Sequence, residues 1–182
     1  MKEIIIDTET TGLDIDDEIV EICVIDLSGE ILLNTLIKPS KPINLRASEI
    51  HNIYDKDVEN SPIWSEVYKQ FLDIIKDSDI YIYNSEFDTR IINQTSQVYD
   101  LDEIDFEKCF CVMHEYAEIW GDFHDYFQSY TWQSLSNAAK QQSIDITDLN
   151  THRAYDDCEI TRRLLLKIAN DECIEKTKKR VF

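Results

Sequence analysis

The apolar positions of this chain fall into two periods. Ile4, Ile5 and Ile6 form an unbroken apolar run that suits a strand buried on both faces, and residues 19 to 27 and 31 to 37 read as two further strands joined across a Ser28-Gly29 turn. Ile80 to Tyr83 is a fourth apolar stretch, and a shorter one spans Cys109 to Val112. Between them the period changes. Ile63, Trp64, Val67, Phe71, Ile74 and Ile75 recur at helical spacing behind Asn60-Ser61-Pro62, which predicts a cap with proline in the first helical position. Phe87, Ile91, Ile92 and Val98 repeat the pattern from about 86, with Asn84 or Ser85 as cap. Further helices are expected near 113 to 120, 132 to 141 and 152 to 170, the last capped by Asn150 or Thr151 and burying Ala154, Cys158, Thr161, Leu165 and Ile168. Strands alternating with helices predict an α/β fold.

Length and composition narrow the picture. The 182 residues suit one domain spanning 1–182, with no linker or repeat dividing it and a basic tail at about 174 to 182, including Lys176, Lys178, Lys179 and Arg180, expected to fray. No apolar run approaches the roughly 20 residues of a membrane span, and the N-terminus passes straight into a strand, so a soluble, cytoplasmic protein is expected without a membrane partner. The five cysteines are odd in number and lack a C-x-x-C pair, which predicts reduced thiols without a metal role.

Acidic residues stand at three of the predicted termini. Asp7 and Glu9 leave the first strand on one side, where shared desolvation and mutual repulsion favour protonation or a hard cation such as Mg²⁺ or Mn²⁺. A turn with Gly12 at the bend explains the same pair about as well. Asp88 falls in the first turn of the helix after the 80–83 strand, and there Ser85-Glu86-Phe87-Asp88 reads more simply as a capping box. His152 and Asp157 are five residues apart, about 140° around a regular helix, so both face one site only if His152 stands at or before the first turn. Asp156 is at the wrong rotation to replace Asp157.

Taken jointly, Asp7-x-Glu9, Asp88 and His152 with Asp157 five positions later resemble the three motifs of the DEDDh (DnaQ-like) 3′–5′ exonucleases, of the ribonuclease H-like superfamily. Asp7-Thr8-Glu9-Thr10-Thr11-Gly12-Leu13 resembles the whole first motif, and Ile50-His51-Asn52-Ile53 is similar to the family's Ile-His-Gly-Ile segment. Trp132-x-x-Leu135 and Ala138 resemble the helix before the third motif. The sister class needs tyrosine four residues before the last aspartate, and position 153 is Arg.

The resemblance implies a mixed five-stranded sheet with helices on both faces, and hydrolysis at a nucleic-acid 3′ end to nucleoside 5′-monophosphates. It implies two divalent ions, with Asp7 bridging both, Glu9 and Asp157 completing the site of the nucleophilic water, and Asp88 holding the second ion through water. His152 would take the proton, since a neutral imidazole accepts one and a guanidinium does not. Thr10, Thr11, Gly12 and Leu13 would contact the last nucleotide, Leu13 packing on its base, with His51 in the same pocket. DNA is favoured over RNA because the motif pattern is closer to the proofreading branch. An inactive binding module is the competing class, and the filling of all five motif positions counts against it.

Charge complicates a nucleic-acid partner. The formal net charge is −19, where a long phosphate backbone calls for a basic surface, so short or single-stranded 3′ ends are expected as substrates. From Ile91 to Ala139 the only Lys or Arg is Lys108, amid nine acids and many aromatics. A solvated acidic surface over an aromatic core is the favoured account of region 99–132, ahead of a base-stacking wall or a docking site for a basic protein partner. Lys38, Lys41, Arg46 and Arg153 are the basic residues expected near the substrate.

Overall fold

A computed structural model describes residues 2–181, with side chains described through residue 170. The basic side chains of the tail therefore lie outside the described residues. The sheet is built from β1 (Lys2–Thr10), β2 (Ile19–Asp26), β3 (Ile31–Leu36), β4 (Ser78–Ile82) and β5 (Cys109–Cys111), in the order β3-β2-β1-β4-β5. The first three strands form an antiparallel meander, whereas β4 and β5 run parallel to β1. At the β2–β3 turn, Asp26 accepts from the Ser28 and Glu30 amides at 2.9 and 3.0 Å, and Gly29 takes a φ of 91° that favours glycine.

Alternation along β1 distributes its side chains between two cores. Ile4 and Ile6 join Trp64, Phe71, Ile91 and Ile92 in the layer beneath α3 (Trp64–Ile75) and α4 (Ser85–Val98). Ile5 instead packs with Cys23, Ile25, Ala154 and Cys158 beneath the final helix, Ala154–Val181. Helices thus cover both faces, which explains why the Ile4–Ile6 run lacks polar alternation. The final helix buries Ala154, Cys158 and Thr161 as expected, and Leu164 more deeply than Leu165.

Several details differ from the sequence expectation. The third helix begins at Trp64, two residues beyond Pro62, because the Pro62 carbonyl accepts from the Lys38 amide at 2.9 Å and Glu66 accepts from the Ile63 amide at 3.0 Å. Two short helices, α1 (Leu45–His51) and α2 (Asp55–Val58), fill the connection after β3, whose brevity leaves little periodicity to detect.

Region 99–132 departs furthest from expectation. Only its first part buries aromatics: Tyr116 on α5 (Val112–Trp120) is fully enclosed. Beyond Gly121 a small hairpin, β6 (Phe123–His124) with β7 (Ser129–Tyr130), leads to α6 (Leu135–Gln141) and then to the final helix, α7. Trp120, Phe123, Tyr126, Phe127, Tyr130 and Trp132 are all exposed, Tyr126 by 84%. The expected aromatic core is therefore wrong for this stretch: two-residue strands are too short to fold their rings back onto the sheet. Among the described residues, no helix is long and apolar enough to cross a membrane.

Candidate active site

The parallel pairing of β1 with β4 ends at Ile6↔Ile82, so the end of β1 opens toward the first turn of α4. This is the edge at which α/β sheets assemble ligand sites. Alternation sends Asp7 and Glu9 to the α7 face, where ligand oxygens of Asp7, Glu9 and Asp157 all lie within 4.8 Å of one another. Thr8 points to the other side and donates to Asp88 Oδ1 at 2.7 Å.

Asp88 is 4% exposed and its carboxylate bonds to β1. The capping-box reading of Asp88 is thus overturned. The sequence spacing was right for a cap, but the tertiary partner eighty positions away takes the side chain.

The four acids strain one another electrostatically. Burial, followed by the charges of Asp88, Asp157 and Glu9, raises the Asp7 carboxyl well above its ordinary range. Burial and then Asp157 and Glu21 push Glu9 to about 8. Asp88 is raised by burial to about 7 despite the opposing Thr8 hydrogen bond, and Asp157 by burial to about 6 despite the His152 amide. Hard oxygen donors gathered out of water and short of positive charge suit a divalent cation such as Mg²⁺ or Mn²⁺. The residues therefore fit the ion chemistry that the motif resemblance implies.

The start of α7 is organised by residues the motifs do not contain. His152 precedes the helix with a φ of 66°, in the left-handed region, and its amide donates to Asp157 Oδ2 at 3.2 Å. No side chain of Asn150 or Thr151 caps the helix. Instead Glu21, from β2, accepts from the Ala154 amide at 3.0 Å and takes Nε and Nη2 of Arg153 at 3.0 and 2.6 Å. Glu21 stands opposite Glu9 in the β1–β2 register, so Arg153 offsets negative charge directly behind the acids. Its signal in sequence was slight: one carboxylate inside the apolar run Ile19–Val24.

A cavity of about 520 Å³ adjoins the acids. Thr8, Glu9, Thr10, Gly12, Leu13, Asn44, Arg46, Ala47, Ile50, His51, Phe87 and His152 are among its lining residues. Leu13 is 76% exposed at the rim. His51 Nδ1 accepts from the Ile53 amide at 3.0 Å, leaving Nε2–H to donate to the Thr10 carbonyl at 3.1 Å. Both ring nitrogens are spent on the backbone, and burial lowers the imidazole's pKa, so His51 braces the first-motif loop as a neutral ring.

Of the residues expected to contact the last nucleotide, Thr11 is turned away from the cavity. It is fully buried, with its hydroxyl donating to Asp17 at 2.7 Å and accepting from the Glu18 amide at 3.0 Å. An added Cβ at Gly12 would stand 2.9 Å from Cγ of Asp17 and would have to displace the carboxylate that Thr11 and Lys41 hold. Of the basic residues expected near substrate, Arg46 lines the cavity, whereas Lys41 pairs with Asp17 at 2.8 Å and Arg153 with Glu21. Lys38 lines a separate groove with Pro39, Lys56 and Glu59.

A family model for exonucleases, RNase_T, matches residues 4–165. The chain belongs to this exonuclease family. The exonuclease is 40% identical over 171 residues to an uncharacterized exonuclease, CP81, of Escherichia phage 186, the match covering 91% of this chain and 87% of the relative. Its fold is similar to that of exonuclease X solved in complex with 5′ overhanging duplex DNA, with a TM-score of 0.69 and 29% identity over 92% of this chain and 91% of the other. It is also similar in fold to the nuclease domain of 3′hExo, a DEDDh family member bound to rAMP, with a TM-score of 0.74 and 17% identity over 94% and 93% of the two chains. The fold is the expected ribonuclease H-like one, with a mixed five-stranded sheet, and the activity is that of a 3′–5′ exonuclease. In the exonuclease, Cys23, Cys109, Cys111 and Cys158 are free thiols.

Proposed function

We propose that this exonuclease, acting as a single 1–182 domain, hydrolyses the 3′-terminal phosphodiester of DNA, from single-stranded or frayed ends, to nucleoside 5′-monophosphates. The observation that carries this reading is the convergence of Asp7, Glu9 and Asp157 within 4.8 Å beside a cavity of nucleotide dimensions.

Asp7, Glu9, Asp157 and, on the α4 side, Asp88 would hold two divalent ions, Mg²⁺ or Mn²⁺. When bound, such ions lower the pKa of water and stabilise charge on the attacking and leaving oxygens. The protein's own residues do the rest. Leu13, at the exposed rim, packs on the terminal base, and Thr10 and Gly12 set the wall against its sugar. Thr11 shapes the same loop through Asp17. His51 holds the Thr10 carbonyl in place. His152, exposed beside Asp157 and free of helical constraint, accepts the proton from the attacking water.

The charge distribution supports a short or unpaired substrate. Among the basic residues named above, Arg46 alone lines the cavity, so a long backbone gains little grip. The acidic aromatic segment 99–132 stands outside this phosphate path and is assigned to a protein partner. DNA is preferred to RNA because the 29%-identical neighbour holds DNA, whereas the ribonucleotide-bound neighbour shares 17%. A cytoplasmic setting suits the free thiols.

The test is digestion of matched DNA and RNA oligonucleotides, single and double stranded, with Mg²⁺ and product analysis. Single-stranded DNA should yield 5′-mononucleotides fastest, and Asp7→Ala should abolish the release. Faster digestion of the RNA would assign the enzyme to RNA 3′-end trimming, and wild-type inactivity equal to Asp7→Ala would leave a binding module.

A further inference from the structure

The exposed aromatic hairpin between α5 and α6 has no part in the cleft just described. Its rings contact one another instead of the core: Phe123 meets Tyr130 edge-on at 5.3 Å, and Phe127 meets Tyr126 at 5.0 Å and His124 at 4.7 Å. Phe127 is 68% exposed and Trp132 59%. Six large rings on so short a segment exceed the scattered apolar exposure of an ordinary monomer surface, and such patches mark interaction sites.

The segment is nevertheless anchored. The Thr131 amide donates to the Asp122 carbonyl at 2.8 Å across the hairpin, and Tyr83, at the end of β4, donates its hydroxyl to the Gln133 carbonyl at 2.8 Å. The Trp132 ring stacks on His114 of α5 at 5.0 Å. A patch held in shape before binding loses little ordering entropy on association.

Charge selects the occupant. From Cys109 to Ala139 the sequence has no Lys or Arg, while Glu115, Glu118, Asp122 and Asp125 flank the rings. Phosphates would be repelled. A second copy docking through the same face would set these carboxylates against their own kind. Lys and Arg side chains, in contrast, are attracted both by the acids and by the faces of Trp, Tyr and Phe.

We propose that this hairpin is the docking surface for a partner protein that presents a segment in which Lys or Arg alternates with apolar side chains. The rings take the apolar residues and the flat faces of the guanidinium groups, and the flanking acids pair with the remaining charge. The partner brings the exonuclease to its 3′ ends, which offsets the poor phosphate grip of an acidic chain. This assignment is independent of the DNA preference and of the catalytic roles above.

The test is fluorescence anisotropy of a labelled synthetic peptide alternating Arg with Leu, titrated with the full-length chain. Controls are its Glu-for-Arg counterpart and a labelled single-stranded oligonucleotide, the last titrated with the Asp7→Ala chain. The Arg peptide should bind, and the Glu peptide should not. Binding should weaken at least about tenfold in the Trp120→Ser, Tyr126→Ser, Phe127→Ser triple variant, and likewise in Glu118→Gln, Asp122→Asn, Asp125→Asn. An unchanged melting midpoint verifies that the exposed-ring variant folds. Non-specific attraction to an acidic chain would survive loss of the rings, so equal binding by the triple variant overturns the proposal. It is also overturned if loss of the rings weakens oligonucleotide binding but not peptide binding, or if sedimentation shows a dimer that the triple variant abolishes.

Discussion

The Thr8 hydroxyl donates to Asp88 Oδ1 at 2.7 Å and so joins the first-motif strand to the first turn of α4. It favours the ionised carboxyl of Asp88, opposing the burial that raises that group to about 7. The bond is fully buried, so its loss is not made good by water.

Thr8→Val keeps the shape and removes the donor. Asp88 should then titrate above about 7, and the acid limb of the kcat/KM profile should move to higher pH. Leaving a buried acceptor unmet costs on the order of 1–3 kcal/mol, readable by urea unfolding at neutral pH. An unmoved acid limb would mean that the bond does not tune Asp88.

Glu21 and Arg153 carry a second prediction. Glu21 is 4% exposed and serves both the Ala154 amide and the Arg153 guanidinium. Glu21→Ala removes both interactions, but the half-exposed Arg153 guanidinium is rehydrated, so the loss should be on the order of 1–3 kcal/mol, most of it from the Ala154 amide. Glu21→Gln retains an acceptor for the Ala154 amide and should recover part of that stability. Arg153→Ala acts differently: it leaves Glu21 unpaired opposite Glu9 and should raise Glu9 above about 8. The lost positive charge favours a divalent ion more than it favours the competing proton, so Mn²⁺ titration at pH 7 should show tighter binding in Arg153→Ala than in Arg153→Lys. Equal affinities would separate the ion pair from the acids.

The sequence made some of this legible and hid the rest for physical reasons. Apolar runs located the five sheet strands and a 3.6-residue apolar period most of the helices, because central strands covered on both faces have no polar side whereas each helix buries a single stripe. Asp7 and Glu9 were visible because both leave a strand on one side. Asp88 was ambiguous, since cap and ligand positions share the first helical turn, and the contact that takes its carboxylate out of the capping role comes from Thr8, eighty residues away. Glu21 was missed because its role depends on a helix that starts 133 residues later. The hairpin aromatics were misread because composition counts rings without saying whether the backbone around them can reach a core.

His152 lies outside the helix in a left-handed conformation, exposed at the cavity and bonded through its amide, not its ring, to Asp157. His152→Ala should therefore leave the metal-dependent gain in melting temperature intact while lowering kcat by about 10²–10⁴-fold. KM should change little, since the role proposed for the ring is toward the attacking water and not toward binding the substrate. A parallel loss of metal stabilisation would assign the residue to holding the acids in place instead of moving the proton.

The raised carboxyls make the stability of the metal-free protein fall with increasing pH. Asp157, Asp88 and Glu9 have folded values of about 6, 7 and 8, each above its ordinary value of 3.8 to 4.5. Where the folded value exceeds the unfolded one, the folded state holds more protons, so the contribution is complete below the unfolded value and is lost as pH rises through the folded one. In EDTA the melting temperature should thus decline between about pH 5 and pH 8.5. Mg²⁺ or Mn²⁺ competes with those protons and replaces their stabilisation. The increment added by either ion should be small at pH 5 and grow toward pH 8.5, and Asp7→Ala should flatten both the decline and the increment. A metal-free melting temperature that rises across this range would show that the acids are not crowded as the geometry places them.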